Sequence, residues 1–167
     1  MLFSGSRRGA DYIAVAQFLR FATKGPRTSM LPPRTTMTAV PFDFGSAAGH
    51  VLVVDDEFLI RWSLRERLIG DGFRVVEAED AARARRAVQE DDFDVVLLDV
   101  RLPDSDGLGL LAELLASVNS RIIVITAHGT DELAEEALAM GATAFLRKPF
   151  DVDRMVDLVA TAAAARR

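Results

Sequence analysis

The sequence predicts an α/β fold, a doubly wound five-stranded parallel sheet. Three observations lead there. From His50 onward, short apolar runs alternate with helical patterns at regular intervals. The runs are apolar at consecutive positions, as strands buried on both faces must be. The runs at 51–54 and 95–98 are each followed by aspartate, which sets acids where strand C-termini open onto a crevice.

Residues 51–54 form the first strand. Ile60, Leu64 and Leu68 then recur at helical spacing over 57–69, and Gly70-Asp71-Gly72 stops that helix. The second strand is 73–76, followed by an Ala/Arg-rich helix over 80–89. The third strand, 95–98, leads into the turn-rich stretch 102–107 and a helix over 108–116. The fourth strand is 122–125, and a helix over 131–140 ends at Gly141, a glycine suited to a left-handed C-cap. The fifth strand is 143–146. Asp151 then N-caps a last helix that runs to about residue 163.

Size and composition narrow the function classes. The chain has 167 residues, half of them hydrophobic, enough for one good core. It has no Cys, so disulfides and thiolate metal sites are excluded. No apolar run approaches the ~18–20 residues that cross a bilayer. The net charge of −5 argues against a nucleic-acid-binding body, whose footprint is basic. That charge is unevenly spread. Residues 1–47 carry Arg7, Arg8, Arg20, Lys24, Arg27 and Arg34 against Asp11 and Asp43, about +4, which leaves about −9 for 48–167.

The expected organisation is therefore a basic, Pro-containing leader at 1–47 and one domain at 48–167. Gly25-Pro26, Pro32-Pro33 and Pro41 prevent a long element in the leader, although 11–23 suits a short amphipathic helix. Arg7-Arg8 invites a twin-arginine export reading, but Asp11, Gln17 and Arg20 interrupt the apolar stretch such a signal needs. A disordered tail, or a start at Met30 or Met37, are the two plainer readings, and the sequence leaves both open.

Chemistry gathers at the strand ends. Asp55-Asp56 follows the first strand, Asp99 the third, Thr126 the fourth and Lys148-Pro149-Phe150 the fifth. Three carboxylates packed together repel, and they persist as ions when a cation sits among them. Oxygen-only ligands suit Mg²⁺. An aspartate in such a site can attack phosphorus and form an acyl phosphate, with the metal and Lys148 absorbing transition-state charge. Taken singly, each feature has a plainer reading as a turn acid, a strand-end threonine or a helix-entry loop. Their joint occurrence at successive strand ends favours the site.

These residues resemble those of response-regulator receiver domains, flavodoxin-like modules of two-component signalling, over 50 to about 164, and the resemblance implies the strand order 2-1-3-4-5. The resemblance implies that Asp99 is the phosphoacceptor. It implies that Asp56 and Asp99 bind Mg²⁺ directly, that Asp55 acts mainly through water, and that the carbonyl of Arg101 completes the protein ligands. Lys148 matches the lysine that pairs with acceptor and phosphoryl oxygens, and Lys148–Pro149 the usual place for a cis peptide. Thr126 matches the switch hydroxyl and Phe145 the switch aromatic. Phe145 stands where many receivers carry Tyr, so it can bury a ring but cannot donate a hydroxyl hydrogen bond.

The resemblance further implies a cytoplasmic protein that takes its phosphoryl group from a histidine kinase or phosphotransfer protein. It would report to an unknown downstream protein and catalyse only its own phosphotransfer and dephosphorylation. The wording around 53–64 and 125–130 resembles receivers of nitrogen-regulation-type activators. Their ATPase and DNA-binding modules have no counterpart in these residues, so neither activity is carried over. A phosphate sink without output, and a phosphohydrolase with an Asp nucleophile, are the alternatives. The latter usually wants Asp-x-Asp at the first strand, whereas this chain reads Asp55-Asp56-Glu57. A pseudo-receiver would have lost the acceptor or the lysine, and both are here. His128, two residues past Thr126, lies where a side chain could act on attacking water; an exposed loop histidine is the plainer reading. His50 has no evident chemical task.

Overall fold

The computed structural model describes residues 48–105 and 108–166. The expected helix at 11–23, the Arg7-Arg8 pair and the alternative starts lie outside the described residues, as do Asp106 and Gly107 of the turn. Five βα units follow one another: β1 (His50–Val54), α1 (Phe58–Gly70), β2 (Arg74–Ala78), α2 (Ala81–Glu90), β3 (Val95–Asp99), α3 (Leu108–Ser117), β4 (Arg121–Thr126), α4 (Asp131–Met140), β5 (Ala144–Arg147) and α5 (Val152–Ala164). The strands pair in parallel in the order β2-β1-β3-β4-β5, as predicted.

Alternation along the strands divides the core into two layers. Leu52, Val54, Val96, Leu98, Ile122 and Val124 face α2, α3 and α4 through Ala84, Leu111, Leu114 and Ala137. Val51, Val53, Val95, Leu97, Ile123 and Ile125 face α1 and α5 through Leu64, Leu68, Met155 and Val159. All twelve strand residues are essentially inaccessible to water. Fully burying each such side chain contributes about 1.5–3 kcal/mol, so the three central strands form a stiff floor for whatever sits at their ends.

The boundaries moved by one or two residues, for identifiable reasons. Asp99 and Thr126 belong to their strands, because ladder pairing continues past the apolar run to Asp99↔Ile125 and Thr126↔Arg147. β2 begins after Phe73 and extends through Glu77. It is an edge strand, with Arg74 and Glu77 exposed, so its pattern was never fully apolar. Gly141 caps α4 at φ +119°, as expected. The Asp151 side chain accepts from the Arg154 N–H at 3.0 Å, also as expected.

One cap comes from a distance. Asp80 accepts from the Arg83 N–H at 2.6 Å, while Asp104, in the loop after β3, accepts from the Ala81 and Ala82 N–H groups at 2.8 and 3.0 Å. The two aspartates together satisfy the first turn of α2. The same contact pins the β3–α3 loop, which also carries Arg101, to a helix end. Its hydrogen bond from Ala81, followed by that from Ala82, lowers the Asp104 pKa. Asp104→Ala should therefore lower the thermal midpoint at neutral pH. A folded-state pKa below the unfolded one gives stability that is present above the ordinary carboxylate range and lost as pH falls through the lowered value. Melting curves from pH 7 to pH 3 should show wild type and variant converging in acid; a gap that widens there would contradict the cap.

Candidate phosphoryl and metal site

Asp55 is the first residue past β1 and is fully buried. Its Oδ1 accepts from the Glu57 N–H at 2.9 Å, and its Oδ2 accepts from Lys148 Nζ at 2.5 Å. Asp99 closes β3 and is also buried. Its Oδ1 accepts from the Arg101 N–H at 2.8 Å, and its Oδ2 from Lys148 Nζ at 2.7 Å. β1 and β3 are neighbours where the winding reverses, which brings these acids together. Lys148 follows β5, with its N–H bonded to the Thr126 carbonyl at 2.8 Å, and its side chain reaches back to β3 and β1. The Lys148–Pro149 peptide is cis, as expected.

Glu57 supplies a third carboxylate, 3.3 Å from the same ammonium. Burial raises the Asp55 pKa, against the opposing hydrogen bonds from Lys148 and the Glu57 N–H. Burial would lower that of Lys148, but its bonds to Asp55 and Asp99 outweigh this and push it up to about 12. Lysine therefore stays charged. Three carboxylates around one ammonium leave a surplus of two negative charges. Asp55, Glu57 and Asp99 present oxygens within 4.8 Å of one another, a hard donor set with the charge a divalent cation would match.

The set differs from the sequence expectation at one position. Asp56 is exposed and is not in that carboxylate group, whereas Glu57 is. In the sequence Glu57 reads only as the entry to α1. Its signal was a third consecutive acid just before a helix, where the chain turns back over the strand end. Glu57 sits at the N-cap position of α1 without making a side-chain cap bond, which leaves its carboxylate free to face Lys148.

The remaining predicted residues surround this group. Thr126 is fully buried, and its Oγ1 accepts from the His128 N–H at 3.3 Å. Arg101 and His128 are exposed and line a groove of about 330 Å³ together with Leu108 and Leu133. Phe145 is buried against the α2–α4 layer. Gly129, which has no signature in the sequence pattern, makes that position available: a Cβ there would stand 2.8 Å from Phe145 Cε1 and 3.2 Å from Arg147 Cγ. Arg147 in turn pairs with Asp131 at the start of α4. His50 lies at the opposite end of the sheet, its ring against Phe93 and its Nδ1 2.9 Å from the Asp92 carbonyl, a structural role. No helix among the described residues is long and apolar enough to cross a membrane.

Residues 51–160 match the response regulator receiver domain family. The transcriptional regulatory protein FixJ of Bradyrhizobium diazoefficiens is 38% identical over 115 residues, 68% of this chain and 56% of FixJ. The chain thus spans little more than half of that relative. The chemotaxis protein CheY of Bacillus subtilis is 34% identical over 67% of this chain and 95% of CheY. The crystal structure of the receiver domain of NtrX from Brucella abortus superposes with a TM-score of 0.64 at 35% identity, covering 68% of this chain and 98% of that domain. Sheet order, the acids flanking the switch point and the family match agree: this chain belongs to the response regulator receiver domain family.

Proposed function

We propose that this protein accepts a phosphoryl group on Asp99 from a histidine kinase or phosphotransfer protein, and that the acyl phosphate switches a protein-interaction face. The observation that carries the reading is Lys148 Nζ held between the buried carboxylates of Asp55 and Asp99. A carboxylate oxygen of Asp99 attacks the phosphorus of a phosphohistidine; the P–N bond breaks, an O–P bond forms and the imidazole leaves. Lys148 then neutralises part of the phosphoryl charge. Asp56, Asp99 and the carbonyl of Arg101 would hold Mg²⁺ directly and Asp55 through water, with Glu57 alongside. Bound there, the ion supplies further neutralisation of the phosphoryl oxygens.

The donor must cover the rim of the site to reach Asp99. On the α1 side that rim is apolar: Phe58, Leu59 and Trp62 are 64, 73 and 52% exposed, beside Glu57. Burial of such residues is what a docking helix pair would gain. On the other side, Thr126 moves to bond a phosphoryl oxygen and leaves its contact with the His128 amide. Phe145 turns into the space released, and α4, β5 and α5 present a new surface to a downstream protein. Exposed Glu132, Glu135 and Glu136 give that face an acidic rim. The setting is cytoplasmic two-component signalling, without turnover of an external phosphate ester.

With a small acyl-phosphate donor and Mg²⁺, intact-protein mass spectrometry should show one added phosphoryl group, and none on Asp99→Asn. Labelling that persists in the variant would remove Asp99 from its role.

Asp55→Asn should raise the thermal midpoint by a few degrees in metal-free buffer at neutral pH, because it removes a buried negative charge. A carboxyl whose folded pKa is raised contributes stability below its unfolded pKa and loses it as pH rises through the folded value. The gain should therefore shrink as pH falls into the carboxylate range. A variant less stable than wild type at pH 7 would show that the Lys148 contact outweighs the burial.

Thr126→Ala should still be phosphorylated but should populate the switched state several-fold less. It loses a contact worth on the order of 1 kcal/mol that exists only in that state. Amide NMR of residues 131–145 with and without beryllofluoride reads this directly; shift changes as large as in wild type would refute the coupling role.

A further inference from the structure

We infer that Arg61 is a positioning residue for the metal site: its guanidinium holds the backbone of the turn that presents Asp55 and Asp56, and thereby sets cation affinity. The inference rests on the metal-site reading above. Arg61 lies one turn into α1 and is only 7% exposed, an unusual burial for a guanidinium. Its Nη1 donates to the Asp55 carbonyl at 2.7 Å and to the Asp56 carbonyl at 3.0 Å. Both oxygens lie past the last ladder pair of β1, Val54↔Ala78, where the chain leaves the sheet.

The rest of the guanidinium is held as well. Nε faces Glu77 at 3.7 Å and Nη2 faces Glu79 at 3.7 Å, both at the C-terminal end of β2. The Phe58 ring lies 6.0 Å from Cζ. Arg61 therefore ties the turn to the edge strand and to its own helix. It reaches Asp55 and Asp56 through their backbone carbonyls. A planar fork with several fixed N–H directions suits this better than an ammonium.

The sign of the effect separates positioning from charge. A positive group beside a cation site, acting through its field alone, weakens cation binding, so its removal would tighten it. A group that orients the ligand turn does the opposite, and loss of such outer support typically weakens metal binding about 10–100-fold.

The test is calorimetric titration of Mg²⁺ into full-length wild type, Arg61→Gln and Arg61→Lys, with a metal-free thermal melt of each. Arg61→Gln should bind Mg²⁺ about tenfold more weakly or worse, and Arg61→Lys, which keeps the charge without the fork, should fall between. Unchanged or tighter binding by a folded Arg61→Gln overturns the inference, even if that variant melts earlier. Should Arg61→Gln fail to fold, Arg61→Lys decides: weaker binding supports the role and wild-type affinity overturns it. If wild type itself binds no Mg²⁺, the metal-site reading fails and the inference falls with it.

Discussion

One ammonium among three carboxylates is the constraint on which this structure turns. Lys148 extends from the end of β5 to Asp55 beyond β1 and Asp99 on β3, bridging strands that are not its neighbours. The contact exists because the sheet winds outward in both directions from β1 and β3, which leaves a crevice at their ends. It also leaves the site under-neutralised, with Asp55 driven toward protonation by burial. The surplus negative charge matches what a divalent cation carries, and in the function proposed above the same lysine meets the phosphoryl charge.

The surroundings divide into an apolar floor and a side that also carries polar contacts. The floor is the packed pairing of β1, β3 and β4, reinforced where Asp104 fastens the loop after β3 to the start of α2. On the other side, polar contacts follow β4: Thr126 with the His128 amide, Thr130 capping α4 at 3.1 Å, and Asp131 with Arg147. Glycine at 129 leaves room for the Phe145 ring, which a Cβ there would crowd at 2.8 Å. In the proposed switch these small polar contacts beside a closely fitted aromatic ring are the ones that exchange, while the floor keeps its packing.

Helix α1 serves both halves of this arrangement. Its inner face carries Leu64 and Leu68 into the core and Arg61 under the acidic turn, while Phe58, Leu59 and Trp62 face solvent. Residues three and four apart share a face, so one short helix can support the site and still offer an apolar surface beside it.

The sequence by itself determined the parallel sheet and the acids, hydroxyl and lysine that follow its strands, while the strand order came with the family resemblance. Unbroken apolar runs require cover on both faces, and polar residues directly after them have only the crevice to occupy. Caps such as Asp151 and Gly141 were legible because they act within a few residues of their own helix. Only the tertiary structure decided that Glu57 joins Asp55 and Asp99, that Asp104 caps a helix 22 and 23 residues away in sequence, that Arg61 holds the Asp55 and Asp56 carbonyls, and that Gly129 makes room for Phe145. None of these has a periodic signature. Each depends on how two loops or a loop and a helix meet, and such meetings are set by packing between elements, to which local sequence patterns are blind.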